Sequence, residues 1–545
     1  MPLSPSAHAD TFARDRLPPP AQWPELLFER PELQFPDRLN CVAALLDARV
    51  AAGDGGRPAI QGEGVCWTYA ELQARVNRLA NELVDGMGLV SGNRVLLRGA
   101  NTPMLAACWL AVVKAGGIAV GSMPLLRAKE LRQIVDKAEV SHALCDARLA
   151  EELHLARQDG GAASLREVAF FHEGGPDGLE ARADARPAAF DAVATAADDV
   201  CLMAFTSGTT GTPKATMHFH RDVMAACACW PAHVLRPTRD DVFIGSPPLA
   251  FTFGLGGLLL FPMAAGACTV LVEKASPDTL PAAIARFGAT VCFTAPTSYR
   301  AIALGLRQAP GAHDLASLRK CVSAGEALPA ATRTLWREAT GIEIIDGIGS
   351  TEMLHIFISA DEAHARPGAT GVAVPGYRAC VLGEGGRELP PGQVGRLAVK
   401  GPTGCKYLAD ERQAQYVQNG WNLTGDAYLV DADGQFVYQA RTDDMIVSGG
   451  YNIAGPEVES ALLLHPAVAE CGVVGVPDVD RGQIVKAFVV LKAGHTGDEA
   501  MSRALQDFVK RTIAPYKYPR AVEYRTALPR TETGKLQRFR LKQPA

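Results

Sequence analysis

The sequence predicts an α/β protein: a large N-terminal domain of packed α/β subdomains with parallel-rich sheets, followed by a small α+β C-terminal domain. Three observations predict it. Short β-branched apolar runs alternate with longer helix-like stretches for most of the length, the pattern of sheets buried on both faces. At 545 residues the chain is too long for one hydrophobic core. After Tyr438 the pattern changes, and residues from Arg441 onward read as a compact unit of about 100 residues. The predicted domains are 1–440 and 441–545.

Taken in order, residues 67–87 read as a helix opened by Thr68, with Glu71 three positions on completing a capping box. Residues 94–98 read as a strand and 104–115 as a helix, and Val120 opens a loop through Pro124. Residues 160–197, rich in Ala, Gly, Asp and Pro, read as a surface connection with weak local structure. Residues 249–272 carry no charge and are long enough to span a bilayer. Gly254, Gly256, Gly257, Pro262 and Gly266 interrupt that run, so it reads as a buried helix followed by a buried strand at 268–272. In the C-terminal unit, 458–464 and 501–513 read as helices, and 468–476 and 485–491 as strands.

A net charge of −5 and a pI near 6.2 provide no basic field for nucleic acid or an anionic membrane, and neither is an expected partner. Thirteen cysteines, an odd number without CxxC pairs, fit neither a disulfide framework nor a zinc site. The first twenty residues are polar and proline-rich and do not read as a secretory signal. A cytoplasmic protein with reduced thiols is expected, and monomer and homodimer both remain open.

The sharpest signal is Thr206-Ser207-Gly208-Thr209-Thr210-Gly211-Thr212-Pro213-Lys214, between an apolar strand at 200–205 and a helix from about Asp222. Glycines let the backbone approach a ligand closely. Hydroxyls, amides and one lysine then converge as a cradle for a polyphosphate. The spacing is not that of a Walker A loop, which disfavours a P-loop kinase or ATPase.

Further along stand Ser323-Ala324-Gly325-Glu326-Ala327-Leu328-Pro329, Asp346-Gly347-Ile348-Gly349-Ser350-Thr351-Glu352, Thr424-Gly425-Asp426, Arg441-Thr442-Asp443-Asp444 and Pro529-Arg530-Thr531-Glu532-Thr533-Gly534-Lys535. In this order the segments resemble the adenylate-forming enzymes: acyl-CoA ligases, luciferases and the adenylation domains of peptide synthetases. The resemblance implies an enzyme that uses ATP, Mg²⁺ and coenzyme A. It implies that Thr206, Ser207, Gly208, Thr209, Thr210, Gly211, Thr212 and Lys214 hold the phosphates. Ala324, Gly325 and Glu326 would line the adenine, together with Asp346, Gly347, Ile348 and Gly349. Asp426 and Arg441 would take the ribose hydroxyls. Thr351, Glu352 and Lys535 are the implied catalytic residues, with Glu352 and Thr209 on the metal; a carboxylate is a hard oxygen ligand that suits Mg²⁺. The C-terminal domain would be mobile about the hinge Asp443, with Gly449 and Gly450 lining a narrow tunnel for the CoA arm. Ile348 replaces an aromatic residue frequent in the family. Arg481 and Lys486 are candidates for the CoA nucleotide.

Within the family, 346–357, 451–459 and 10–28 resemble benzoate-CoA ligases, and in particular 2-aminobenzoate-CoA ligases. The implied substrate is an aromatic carboxylate, 2-aminobenzoate first, with benzoate, hydroxybenzoate or the loading of a carrier protein as alternatives. Ten residues follow Lys535, too few for a fused carrier domain, which favours free CoA as acceptor. Phe251, Thr252, Phe253, Ala324, Gly349 and His355 are the candidate acyl pocket. Phe251 stands where family members often carry histidine; an aromatic wall suits a flat ring.

Overall fold

Arg94–Arg98 is buried along its whole length because it lies inside a sheet covered on both faces. The computed structural model describes residues 3–206, 213–442, 444–448, 451–478, 480–530 and 536–542. Among these residues the chain forms four sheets. The first runs in the order Glu167–Phe171, His142–Asp146, Arg94–Arg98, Ile118–Ser122, Val200–Thr206, Lys214–Phe219. Its first five strands are parallel and the last returns antiparallel.

The second sheet has nine strands, and six of them form a continuous parallel run: Ile344–Gly349, Lys320–Ser323, Val291–Thr294, Val242–Gly245, Cys268–Val270 and Pro58–Gly62. Antiparallel strands close both edges. The third sheet is antiparallel, built from Arg378–Leu382, Gly395–Lys400, Val417–Gln418, Trp421–Val430 and Phe436–Arg441. The fourth belongs to the C-terminal unit. There the hairpin Val468–Asp478 and Gly482–Leu491 packs with helices Gly455–Leu462 and Glu499–Thr512 around Val458, Val485, Val489, Leu505 and Val509.

The helix Tyr69–Asn81 starts where the sequence places it. Thr68 caps it, Glu71 completes the capping box, and one π-helical turn at Glu82–Gly86 extends it. Trp67 lies outside it, in the strand Val65–Thr68. The uncharged run folds as expected, as helical turns from Thr252 to Ala265 and then the buried strand Cys268–Val270. No helix among the described residues is long and apolar enough to cross a membrane.

Two expectations are corrected. Val120 opens no loop; it lies in the middle of Ile118–Ser122. Gly121 marks a close approach of two backbones instead of a turn, since a Cβ there would sit 3.1 Å from the Ala250 Cα. Likewise 160–197 is a weak surface connection only in part. It contributes the edge strand Glu167–Phe171 and the helix Leu179–Asp184, with Phe171 and Ala196 fully buried.

All thirteen cysteines are unpaired and only Cys66 is exposed. Cys41, Cys201 and His220 offer ligand atoms within 4.8 Å of one another. His220 Nδ1 already accepts the Cys41 backbone N–H at 3.2 Å, so the trio reads as a structural pin between the N-terminal segment and the first sheet. Gly121→Val should lower unfolding free energy by at least ~1 kcal/mol in denaturant titration, because the added branches meet the Ala250 backbone. Unchanged stability would refute the close approach.

Candidate functional site

Thr206 ends a parallel strand of the first sheet, and Ser323 and Gly349 end two parallel strands of the second. Carboxyl ends of parallel strands are where α/β sheets bind ligands. Thr206 pairs across a hairpin with Lys214. The residues between them that the sequence singles out, Ser207, Gly208, Thr209, Thr210, Gly211 and Thr212, lie outside the described residues, as do Asp443, Gly449, Gly450 and Lys535.

Lys214 Nζ donates to the Tyr407 hydroxyl at 2.8 Å and stands 3.7 Å from Glu352 Oε1. The Tyr407 hydroxyl in turn donates to Glu352. Burial, reinforced by the negative charge of Glu352, pushes the Tyr407 phenol far above its usual range, so it keeps its proton. The lysine also lies 4.8 Å from the Tyr407 ring centroid, and Tyr416 packs edge-on to that ring. Tyr407 is fixed from behind. Leu408 N donates to Ala215 O at 2.9 Å and Met217 N to Lys406 O at 2.8 Å, so 406–408 rides on the strand that Lys214 begins.

Thr351 and Glu352 follow the strand Ile344–Gly349. His218 Nε2 donates to the Thr351 carbonyl at 2.8 Å. Behind it, His218 stands 3.8 Å from Asp222, which accepts from Lys406 at 2.9 Å, all three fully buried. Burial alone would raise the Asp222 carboxyl; Lys406 and His218 outweigh it and hold it well below the usual carboxylate range. The sequence reading missed Tyr407, Lys406, His218 and Asp222. No motif spacing marks them, and only their convergence in space shows their place.

After the strand Lys320–Ser323, Ala324 is buried and Gly325 takes φ +89°, a backbone only glycine adopts easily. Glu326 Oε1 lies 3.9 Å from Arg530 Nη1, which brings the residue preceding 531–535 to this motif. Asp346 is buried with Oδ1 lacking a hydrogen-bond partner among the described residues. Burial pushes its carboxyl up from the ordinary 3.8 to about 7, against the pull of Arg333. Gly347 and Ile348 continue the same strand, and Ile348 packs half-buried on the main core. Asp426 and Arg441 face each other across two antiparallel strands, with Arg441 Nη1 donating to Asp426 Oδ1 at 3.1 Å and to Thr424 O at 3.0 Å.

Of the acyl candidates, Phe251 precedes the helical run that Thr252 and Phe253 begin. Phe253 lies 5.6 Å from Phe293 and 5.7 Å from the His355 ring, which also meets Trp230 at 5.6 Å and Phe261 at 4.4 Å. Neither His355 nitrogen has a hydrogen-bond partner among the described residues, and Trp230 Nε1 lacks one too. Burial holds His355 down at about 3, hence neutral. Gly349 and Gly256 leave the room it occupies, since Cβ atoms there would sit 2.7 Å from its backbone and 2.4 Å from its ring. Lys486, offered for the CoA nucleotide, is paired with Glu523 at 2.7 Å.

This order of strand-end loops is that of a known group. Residues 47–407 match the model of the AMP-binding enzyme, and 457–535 that of the AMP-binding enzyme C-terminal domain. The chain belongs to the AMP-binding enzyme family. Benzoate–CoA ligase of Thauera aromatica is 35% identical to it over 516 residues, 94% of this chain and 97% of the relative. The solved anthranilate CoA ligase AuaEII, in complex with anthranoyl-AMP, matches with a TM-score of 0.89 at 35% identity, over 94% of this chain and 98% of its own. The benzoate CoA ligase of Burkholderia xenovorans LB400 matches with a TM-score of 0.84 at 31% identity, over 93% and 100%. This AMP-binding enzyme is therefore an AMP-forming acid–thiol ligase near the benzoate–CoA ligases, with the large N-terminal and smaller C-terminal domains of that group.

The raised Asp346 carboxyl has a pH signature. Between about pH 4 and pH 7 the native state holds a proton that the unfolded chain has released, so this group's contribution to stability falls as pH rises through that window. Asp346→Asn removes the titration. Its stability relative to wild type should rise by at least ~1 kcal/mol between pH 5 and pH 8 in paired unfolding titrations. A difference that is the same at both values would show that Asp346 titrates normally.

Proposed function

We propose that this AMP-binding enzyme adenylates an aromatic carboxylate, 2-aminobenzoate in the first instance, and transfers the acyl group to coenzyme A in the cytoplasm. The observation that carries the choice of acid is the ring-lined box around His355. Trp230, Phe253 and Phe261 surround a neutral imidazole whose two nitrogens lack partners among the described residues. A flat ring suits the walls. An ortho amine would donate to Thr252 or to the unprotonated His355 nitrogen, and a buried polar group that gains a partner only from the right substrate discriminates strongly. The resemblance to an anthranilate ligase supports the same acid, and the benzoate–CoA ligase relative keeps benzoate as the alternative.

In the proposed first half-reaction a carboxylate oxygen attacks the α-phosphorus of ATP, the bond to the bridging oxygen breaks, and pyrophosphate leaves with that electron pair. Both reactants are anions, so positioning and opposing charge must supply most of the rate. Lys214 stands at the hairpin where the phosphates would lie, and Lys535 would bridge the carboxylate and the α-phosphate. The hard oxygens of Glu352, beside Lys214, are a donor set that fits Mg²⁺ shared with a triphosphate. Thr209 would assist. When bound, that ion would neutralise charge on the phosphate oxygens. Asp426 and Arg441, already paired, would take the ribose hydroxyls. In the second half-reaction the 441–545 domain swings about Asp443 relative to 1–440. Gly449 and Gly450 then line the CoA arm, the thiol loses its proton, its sulfur attacks the acyl carbon, and AMP departs.

Lys535→Ala should slow adenylate formation by at least ~10²-fold, the scale of a lost transition-state donor. Thioester formation from supplied acyl adenylate should change far less; equal losses in both halves would refute alternation. In a panel of 2-aminobenzoate, benzoate and 3-hydroxybenzoate, kcat/KM should favour the first by at least ~10-fold. A benzoate maximum moves the assignment to benzoate. Carboxylate-dependent ATP–pyrophosphate exchange with none of the three would overturn the aromatic reading.

A further inference from the structure

Tyr407 lies in none of the segments that the nucleotide motifs mark, yet its hydroxyl is bonded to both charged groups of the phosphate end. It accepts from Lys214 Nζ at 2.8 Å and donates to Glu352, and the two charges stay 3.7 Å apart. We propose that Tyr407 is a positioning residue for adenylation: its hydroxyl holds Lys214 and Glu352 separated and aimed, the cation for the pyrophosphate and the carboxylate for the divalent cation. The proposal rests on the adenylation reading above.

A lysine and a carboxylate this close, with nothing interposed, close into a direct charge-assisted bond of about 2.8 Å. Each must then be pulled from the other before it can meet a phosphate or a metal. A phenol between them changes that. It takes one of three ammonium protons and fills one of two carboxylate oxygens, leaving both groups with capacity for ligands. For this the phenol must stay put. Its backbone is tied on both sides to the strand bearing Lys214, and Tyr407 N donates to Gln413 Oε1 at 2.9 Å. The Tyr416 ring packs edge-on at 5.8 Å. Phenol and lysine therefore move as one body, and Glu352 is the group they hold.

The competing account is a core tyrosine whose hydroxyl merely found polar neighbours. Tyr407→Phe separates the two, since it keeps the ring and deletes one oxygen. ATP affinity is to be measured by calorimetry with and without Mg²⁺, alongside pyrophosphate exchange across Mg²⁺ concentrations. Positioning predicts that the gain in ATP affinity from Mg²⁺ shrinks at least tenfold and that half-maximal exchange needs at least tenfold more Mg²⁺. The carboxylate KM and the melting temperature should hold. Repeating the change in a Glu352→Gln background should add little, because the phenol acts through that carboxylate. Unchanged Mg²⁺ dependence, full additivity of the two changes, or loss of the fold in Tyr407→Phe would each overturn the proposal. Absence of exchange in the wild-type enzyme would instead remove the ligase reading itself, while the calorimetry still scores Tyr407.

Discussion

Lys214 and Glu352 come from different sheets and stand 3.7 Å apart, with the Tyr407 hydroxyl from a third region between them. Opposite charges at the junction of three subdomains constrain everything around them. The first sheet must end its strand at Thr206 and return at Lys214. The second must deliver Glu352 just past Gly349. The connection between Gly395–Lys400 and Val417–Gln418 of the third must lay 406–408 against the returning strand. Below this junction lies a second buried set, Lys406, Asp222 and His218, which ends on the Thr351 carbonyl. Taking such charges out of water is costly unless each is paired and hydrogen-bonded. Here each one is.

The proposed acyl end follows a different logic. It is apolar, ring-lined and incompletely satisfied: His355 and Trp230 keep buried nitrogens without partners among the described residues. Natural cores rarely leave such groups unmatched. In the proposed reading an ortho amine would donate to the unprotonated His355 nitrogen; the Trp230 N–H is itself a donor and would need an acceptor. The Lys214–Glu352 junction is thus built around opposite charges, and the proposed acid end around aromatic rings.

Much of this was legible in the sequence, for identifiable reasons. Thr68 and Glu71 carry a local helix signal that needs no tertiary context, and the helix starts where they place it. The uncharged run at 249–272 was read correctly because glycine and proline decide against a single long helix. Local signals failed where tertiary contact gives a residue its meaning. Val120 read as the start of a loop and lies inside a strand, where Gly121 meets the Ala250 backbone. The alanine-rich stretch after Gly160 looked like a linker and packs as an edge strand and a helix. At the site, motif residues such as Asp426 and Arg441 are found together. Tyr407 and Lys406, some fifty residues past Glu352 and with no spacing of their own, became visible only when the sheets met.

The most direct test of the central claim is a crystal structure with Mg²⁺ and a non-hydrolysable ATP analogue. The account predicts Lys214 Nζ within about 3 Å of a β- or γ-phosphate oxygen, with the Glu352 carboxylate on the metal. A triphosphate bound away from the hairpin that joins Thr206 to Lys214 would contradict it.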